Sequence, residues 1–149
     1  MLNHISPAFS PELLAAIYAM GHGDTLVLAD GNFPSDGVSR RGAAEVIRAD
    51  GLGIPELLDA ILQLMPLDTH IETPVLYMAK SECDRDLALP VLDEYEKIIK
   101  KYDERGGACT GYIERFAFYE KAEKACYIVQ TGETALYANI ILQKGVVKR

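Results

Sequence analysis

Short apolar runs and amphipathic helical segments alternate along most of this chain, which limits the folds that it can adopt. Ser10-Pro11-Glu12 predicts a helix start, because serine caps helices and proline suits the first helical position. Apolar residues then recur at helical spacing as far as Met20. Thr25–Ala29 is a short apolar run bounded by turns, which is typical of a buried strand. The same order recurs, with helices from Pro55, from Pro90 and at 116–125, and extended segments at 46–51, 74–79, 112–114, 127–130 and 139–145.

Alternating strands and helices favour an α/β domain of three layers, in which helices cover both faces of a central sheet. A chain of 149 residues is long enough for one such domain with a sizeable core. We therefore expect residues 1–149 to form a single domain with a central sheet flanked by helices. The glycine- and serine-rich segment 35–42, which contains Arg40 and Arg41, is expected to be an exposed loop.

The charge balance and hydropathy argue against two classes of partner. The formal net charge is −7, whereas nucleic-acid binding needs clustered lysine and arginine. No apolar stretch is long enough to cross a bilayer, and the first residues lack the pattern of a signal peptide. We therefore expect a cytoplasmic protein that binds neither nucleic acid nor membrane.

The side chains that usually bind metals are few and scattered. The three histidines form no helical His-x-x-x-His pair, so a metal held by His22 with Asp24 or Asp30 is conceivable but not favoured. No Walker loop, dinucleotide fingerprint or nucleophile elbow is present. The cysteines are too widely spaced for a Cys-x-x-Cys site and are expected to be reduced thiols: Cys83, Cys109 and Cys126.

A histidine between two glycines precedes the first predicted strand, and an aspartate follows that strand. Gly21 and Gly23 remove neighbouring side chains, so a ligand can approach the His22 imidazole, which exchanges protons near neutral pH. Asp30 lies at the carboxyl end of the strand, where open α/β sheets usually bind ligands. Two structural alternatives remain open: His22 could cap the preceding helix, and Asp30 could stabilise a turn.

Two later segments place polar groups beside apolar ones. Arg115 begins an aromatic cluster, and this combination suits a polyol, because a guanidinium donates several hydrogen bonds while rings cover C–H faces. Alternatively, Arg115 pairs with Glu114 or Glu120. Tyr137-Ala138-Asn139 precedes the last predicted strand, so its phenol and amide could point into a cleft or could merely form the turn into that strand.

Five motifs, in order along nearly the whole chain, resemble the ribose pyranase / L-fucose mutarotase family of sugar mutarotases. They are GHGD at 21–24, DGNFP at 30–34, IRADG at 47–51, ERFAFYE at 114–120 and GETALYANIIL at 132–142. The resemblance implies an α/β isomerase that exchanges the anomers of a monosaccharide with neither a metal nor an organic cofactor. It also implies a homodecamer of two stacked pentameric rings, with sites near subunit boundaries.

The resemblance also assigns roles to residues. His22 matches the catalytic proton donor of the family, and Asp30, Arg115 and Tyr137-Ala138-Asn139 match its sugar-binding positions. The segments around Arg48 and Arg115 are similar to the fucose branch, whereas ribose pyranases carry a histidine at the position of Arg115. We therefore expect L-fucose as the substrate; D-ribose pyranase activity and a non-catalytic monosaccharide-binding ring are the alternatives.

Overall fold

A computed structural model describes residues 1–148, which form one mixed sheet with helices on both faces. The helices are α1 (Pro11–Ala19), α2 (Ser35–Arg41), α3 (Ile54–Leu64), α4 (Pro90–Tyr102) and α5 (Arg115–Glu123). The strands are β1 (Thr25–Ala29), β2 (Glu45–Ala49), β3 (Val75–Met78), β4 (Thr110–Ile113), β5 (Tyr127–Thr131) and β6 (Ile140–Gln143). Two short 3-10 turns lie at Glu82–Asp84 and Gly106–Cys109.

The order and direction of the strands decide where loops meet. The sheet runs β2-β5-β1-β6-β3-β4, and only β6 runs antiparallel to its neighbours β1 and β3. The carboxyl ends of the five parallel strands therefore meet the amino end of β6 at one edge, which we call the carboxyl edge. The opposite edge, the amino edge, carries the start of β1 and the end of β6.

Two separate hydrophobic cores lie on the two faces of the sheet. Leu26 and Leu28 of β1 pack among residues of α1, α3 and α4, whereas Val27 and Ala29 pack among residues of α2 and α5. All four side chains are fully buried, as expected for a strand covered on both faces. The prediction of a three-layer α/β domain is confirmed.

The predicted loop at 35–42 is wrong, because this segment contains helix α2. Serine and glycine favour helix weakly, but tertiary packing stabilises this one. Val38 is fully buried in the core shared with α5, and the Ser35 hydroxyl donates a hydrogen bond to Gln130 Oε1. Arg40 and Arg41 are exposed, as expected, and Arg41 pairs with Glu123.

The remaining predicted elements are present with small changes at their ends. The Ser10 hydroxyl caps α1 by accepting a hydrogen bond from the amide of Leu13, as the sequence predicted. Within residues 1–148, no helix combines the length and the apolar character needed to cross a membrane. All three cysteines are free thiols.

Candidate active site

Asp30 and Asn139 interlock at the carboxyl edge, one directly after β1 and the other directly before β6. Asn139 Oδ1 accepts a hydrogen bond from the Asp30 amide at 2.7 Å, and Asn139 Nδ2 donates to Asp30 Oδ2 at 2.9 Å. The Asn32 amide donates to the other carboxylate oxygen at 3.0 Å. Both side chains are buried. The antiparallel direction of β6 is what brings these two residues together.

The environment of Asp30 acts on its acidity in two directions. Burial raises the pKa of Asp30, since an ionised carboxylate loses hydration. Hydrogen bonds from the backbone and from Asn139 oppose that shift, and the net direction is upward. Hydrogen bonds therefore position and orient the Asp30 carboxyl group, while burial makes its ionised form less stable than in water.

An open cleft of about 220 Å³ lies beside this pair. Its wall includes the predicted residues Arg115, Tyr137 and Asn139 together with Asp30. Apolar and aromatic residues also line the cleft: Phe33, Met78, Tyr119 and Leu136. The structure therefore brings four of the predicted sugar-binding residues to one cleft that offers carboxylate, amide, phenol and guanidinium groups.

Arg115 is available to a ligand because the neighbouring carboxylate, that of Glu114, forms hydrogen bonds elsewhere. Glu114 caps helix α5 by accepting hydrogen bonds from the amides of Phe116 and Ala117, at 2.8 and 3.2 Å. Among residues 1–148, no carboxylate lies within ion-pair distance of the Arg115 guanidinium. The guanidinium lies instead 4.8 Å from the ring centre of Phe116. The structural alternative of a pair with Glu114 or Glu120 is not observed.

Tyr137 reaches the cleft from a backbone conformation that L-residues rarely adopt, with φ at 54°. Its hydroxyl donates a hydrogen bond of 2.6 Å to Asp84, which also lines the cleft. Rare backbone conformations cluster at functional sites, where the surrounding structure maintains them. Asp84 was missed by the sequence analysis, because an aspartate in an acidic loop 53 residues away carries no local pattern.

Ala138 differs from its neighbours, since its side chain is fully buried in the core. Its carbonyl oxygen accepts a hydrogen bond from the Tyr95 hydroxyl at 2.9 Å. This contact anchors the segment between Tyr137 and Asn139 to helix α4. A direct contact between Ala138 and a sugar stays a prediction.

His22 lies at the other end of β1, on the amino edge. Its Nε2 is 3.1 Å from Asp68 Oδ2, and its side chain is 47% exposed. The carbonyls of Ile17, in the last turn of α1, and of Met20, directly after the helix, accept hydrogen bonds from Lys144 instead. His22 therefore does not cap the helix. Its ring nitrogen contacts a carboxylate that sequence analysis missed, because Asp68 lies 46 residues away.

Asp68 is a buried acceptor for several donors. Oδ1 accepts from the His70 amide at 2.9 Å and from His70 Nδ1 at 3.1 Å, and Oδ2 accepts from Gln143 Nε2 at 3.0 Å. The amide of His70, with the side chains of His22, His70 and Gln143, lowers the pKa of Asp68 to about 2 against an opposing effect of desolvation. The carboxylate is therefore ionised at neutral pH.

His22, Asp68 and His70 are also the group that could together hold a metal ion. One potential ligand atom from each residue lies within 4.8 Å of the others. Both Asp68 oxygens, however, are already used by hydrogen bonds, and the separations of 3.1 Å are hydrogen-bond distances. The arrangement fits a hydrogen-bonded carboxylate–imidazole pair. The absence of a metal stays a prediction.

One copy of the chain cannot bring His22 to the cleft. The five residues of β1 lie between His22 and Asp30, and a strand of that length spans about 16 Å. Reacting groups must approach within about 3–3.5 Å of one another. The imidazole and the carboxyl-edge cleft therefore lie at opposite edges of the sheet, and we call them the two candidate half-sites of a chain.

Comparison with known proteins identifies the family. The model of the RbsD / FucU transport protein family matches residues 3–147. The chain belongs to this family. A human relative named fucose mutarotase is 52% identical, and the match covers 97% of this chain and 94% of that protein.

Solved structures of the family agree with this assignment. A fucose mutarotase from Streptococcus pneumoniae, solved in complex with L-fucose, is 45% identical with a TM-score of 0.91, covering 99% of this chain and 100% of that one. Bacillus subtilis RbsD, complexed with D-ribose, has a TM-score of 0.72 at 20% identity, covering 99% and 100% of the two chains, which shows a shared fold alone. Similarity is therefore much greater towards the fucose mutarotase than towards RbsD.

Proposed function

We propose that this protein is an isomerase that interconverts the α and β anomers of L-fucose. The observation that carries the proposal is the likeness, over nearly the whole of both chains, to a fucose mutarotase solved with L-fucose. The human relative of the same name supports it. D-Ribose pyranase activity is the weaker alternative, because the neighbour complexed with D-ribose is only 20% identical.

The chemistry requires proton transfers and sugar binding, which match the groups on the two half-sites. Anomer exchange opens a hemiacetal and closes it on the other face of the carbonyl. One group removes the proton of the anomeric hydroxyl, and another protonates the ring oxygen. His22 is the proposed proton-transfer residue, and general acid–base catalysis contributes about 10²–10⁴-fold. This acceleration suits a reaction that free sugars already undergo slowly in water.

The cleft at the carboxyl edge is the proposed sugar-binding half-site. Asp30, Arg115, Tyr137 and Asn139 all line the cleft, and their side chains can form hydrogen bonds with hydroxyl groups. L-Fucose also has a methyl group at C6, and Phe33, Met78 and Tyr119 supply apolar surface for it. Phe118 is fully buried and Phe116 does not line the cleft, so neither is assigned this role.

A complete site in this proposal uses two copies of the chain, with His22 of one copy facing the cleft of another. Three observations support it. The half-sites lie at opposite edges, and the cleft is smaller than the usual range of about 300–1,000 Å³. Two exposed apolar side chains are nearby, since Leu136 lines the cleft and Phe116 contacts Arg115. A contact between unlike surfaces generates a closed ring when its rotation closes. We propose a homodecamer of two pentameric rings that works in the cytoplasm.

The test is the rate of anomer exchange, measured by saturation-transfer NMR on L-fucose. His22→Gln is expected to lose the accelerated exchange and to keep the fold, because an amide cannot cycle a proton near neutral pH. His4→Gln, which changes another exposed histidine, is the matched control and is expected to exchange fucose at the wild-type rate. A wild-type rate in His22→Gln would remove His22 from the mechanism. Binding of fucose by the wild type without acceleration would favour the non-catalytic alternative.

A further inference from the structure

Two imidazoles converge on one carboxylate at the amino edge, in a group that we call the imidazole cluster: His22, Asp68 and His70. His22 Nε2 lies 3.1 Å from Asp68 Oδ2, and His70 Nδ1 lies 3.1 Å from Asp68 Oδ1. One potential ligand atom from each residue lies within 4.8 Å of the others. On a tetrahedral Zn²⁺ with bonds of about 2.0–2.2 Å, neighbouring ligand atoms lie about 3.3–3.6 Å apart. Small rotations of the two imidazoles can therefore bring the three atoms around one ion.

The chemistry of these three groups favours Zn²⁺ over harder cations. Two imidazoles with one carboxylate form the ligand set of known zinc sites, which keep a further position for water or for another ligand. Mg²⁺ and Ca²⁺ prefer sites built from oxygen atoms. The side chains of His22 and His70 are 47% and 61% exposed, so an ion from solvent can reach both rings.

Asp68 is held in place by donors that a metal ion need not displace. The His70 amide donates to Oδ1 at 2.9 Å, and Gln143 Nε2 donates to Oδ2 at 3.0 Å. A carboxylate has about four lone-pair sites, so these two bonds leave sites for a cation. Hydrogen bonds of this kind orient metal ligands and increase metal affinity. Within residues 1–148, no lysine or arginine pairs with this carboxylate, and the nearby Arg105 is paired with Asp103 at 2.8 Å.

We propose that Zn²⁺ binds between His22, Asp68 and His70 and inhibits anomer exchange. The ion replaces the two imidazole hydrogens that otherwise lie between the rings and the carboxylate. Each neutral imidazole then carries its hydrogen on the nitrogen that faces away from the ion. Zn²⁺ acts here as an inhibitor that binds reversibly and not as a cofactor of the reaction.

Coordination removes the ability of His22 to transfer a proton. A neutral imidazole has one nitrogen with a free lone pair and one nitrogen that carries hydrogen. When the lone pair of Nε2 binds the ion, Nδ1 carries the hydrogen, so neither nitrogen can accept a proton. The inhibition rests on the proposed function, in which His22 transfers the proton, whereas the binding of the ion does not.

Isothermal titration calorimetry with Zn²⁺ tests the site itself. Untagged protein is freed of metal with EDTA, dialysed and titrated at about pH 7.5, because metal ligands must be deprotonated. The wild type is expected to bind one Zn²⁺ per chain. His22→Gln and His70→Gln should each raise the dissociation constant at least about tenfold, since the loss of an outer partner alone costs about 10–100-fold. No saturable binding by the wild type, or equal affinity of the wild type and both variants, would overturn the proposal.

Two exposed side chains outside the imidazole cluster provide matched controls. Cys83 is an exposed free thiol, and His4 is an exposed histidine, so each could bind Zn²⁺ by itself. Cys83→Ser and His4→Gln are expected to bind Zn²⁺ with the wild-type affinity and stoichiometry. A loss of binding in either control would place the ion elsewhere and overturn the proposal.

Fucose exchange, measured by saturation-transfer NMR, gives the second readout, with each rate compared with that of the same protein in EDTA. Free Zn²⁺ at about ten times the wild-type dissociation constant occupies about nine tenths of the sites, so the wild-type rate should fall about tenfold. His70→Gln, which binds at least about tenfold more weakly, should lose at most about half of its own rate. Mg²⁺ at the same concentration should have no effect.

The results that contradict each part of the proposal are distinct. Equal inhibition of the wild type and His70→Gln, or equal inhibition by Mg²⁺, would overturn the assignment of the inhibitory site. Binding at the imidazole cluster without inhibition would overturn the inhibitory role. A metal-free wild type that accelerates the exchange of no sugar would instead overturn the proposed function, and the calorimetry would still test the Zn²⁺ site.

Discussion

The separation of the two half-sites predicts that two inactive variants restore activity when they assemble together. The pair consists of His22→Gln, which lacks the proton-transfer group, and Arg115→Ala, which lacks a donor in the cleft. If each site takes the imidazole from one copy and the cleft from another, a random equal mixture contains four kinds of site in equal numbers. About one quarter combine an intact imidazole with an intact cleft.

The size of the effect follows from the separate activities. Loss of a hydrogen bond from a charged group costs about 1.5–3 kcal/mol, so Arg115→Ala alone should keep at most about one tenth of the wild-type rate. His22→Gln alone should keep no accelerated exchange. A site within one chain would then give the mean of the two variants, at most about one twentieth of the wild-type rate. Two-copy sites give about one quarter, at least a fivefold difference.

The assay uses co-expressed chains with different tags, purified for oligomers that contain both, and measures fucose exchange by saturation-transfer NMR. The control mixes wild-type chains with the double variant His22→Gln/Arg115→Ala. Two-copy sites leave about one quarter of the sites intact in that mixture, whereas single-chain sites leave about one half. The two-copy site would be refuted by two results together. The mixture of His22→Gln and Arg115→Ala would be no more active than the mean of the two variants alone, and the control mixture would keep one half of the wild-type activity.

Three further results are expected. Wild type should accelerate L-fucose exchange well above D-ribose exchange, and Arg115→Ala should lower the fucose rate at least tenfold; a faster ribose rate would move the assignment to ribose pyranase. Asn139→Leu should lower the free energy of unfolding by about 2 kcal/mol or more in urea titrations, because the Asp30 amide and Asp30 Oδ2 both lose their partner; an unchanged midpoint would contradict this. The pKa of Asp68 is about 2, below the usual value near 3.9, so its stabilising contribution is complete above about pH 4 and lost as pH falls towards 2. The stability difference between wild type and Asp68→Asn should shrink over that interval, and a constant difference would refute it.

Patterns local in sequence predicted much of the fold. The helix cap at Ser10 and the apolar run of β1 both depend on neighbours within a few residues, and both are confirmed. Helix α2 was missed because its stability comes from burial of Val38 against α5, which no local pattern records. The direction of β6 was not predicted either, because a buried antiparallel strand and a buried parallel strand have the same apolar sequence pattern.

The residues of the candidate site also differ in whether a local sequence pattern could predict them. Asp30, Arg115, Tyr137 and Asn139 were found from motifs, and the structure brings them to one cleft. The carboxylate partner of His22 was not found, because Asp68 depends on chain folding across 46 residues. His22 and Asp30 flank the same strand, β1, so they lie at opposite edges of the sheet, in keeping with the expectation of sites near subunit boundaries.

Strand β6 connects the two half-sites of a chain, so the number of residues in the strand cannot change without moving one half-site relative to the other. Asn139, directly before the strand, binds Asp30, and Gln143 at its end binds Asp68. The two amides are four positions apart, so an extended strand directs both to the same face of the sheet. Deletion of a single residue between them makes the separation three, and one amide then points to the opposite face. We expect that insertions and deletions in β6 are not tolerated, even where substitutions of similar size are.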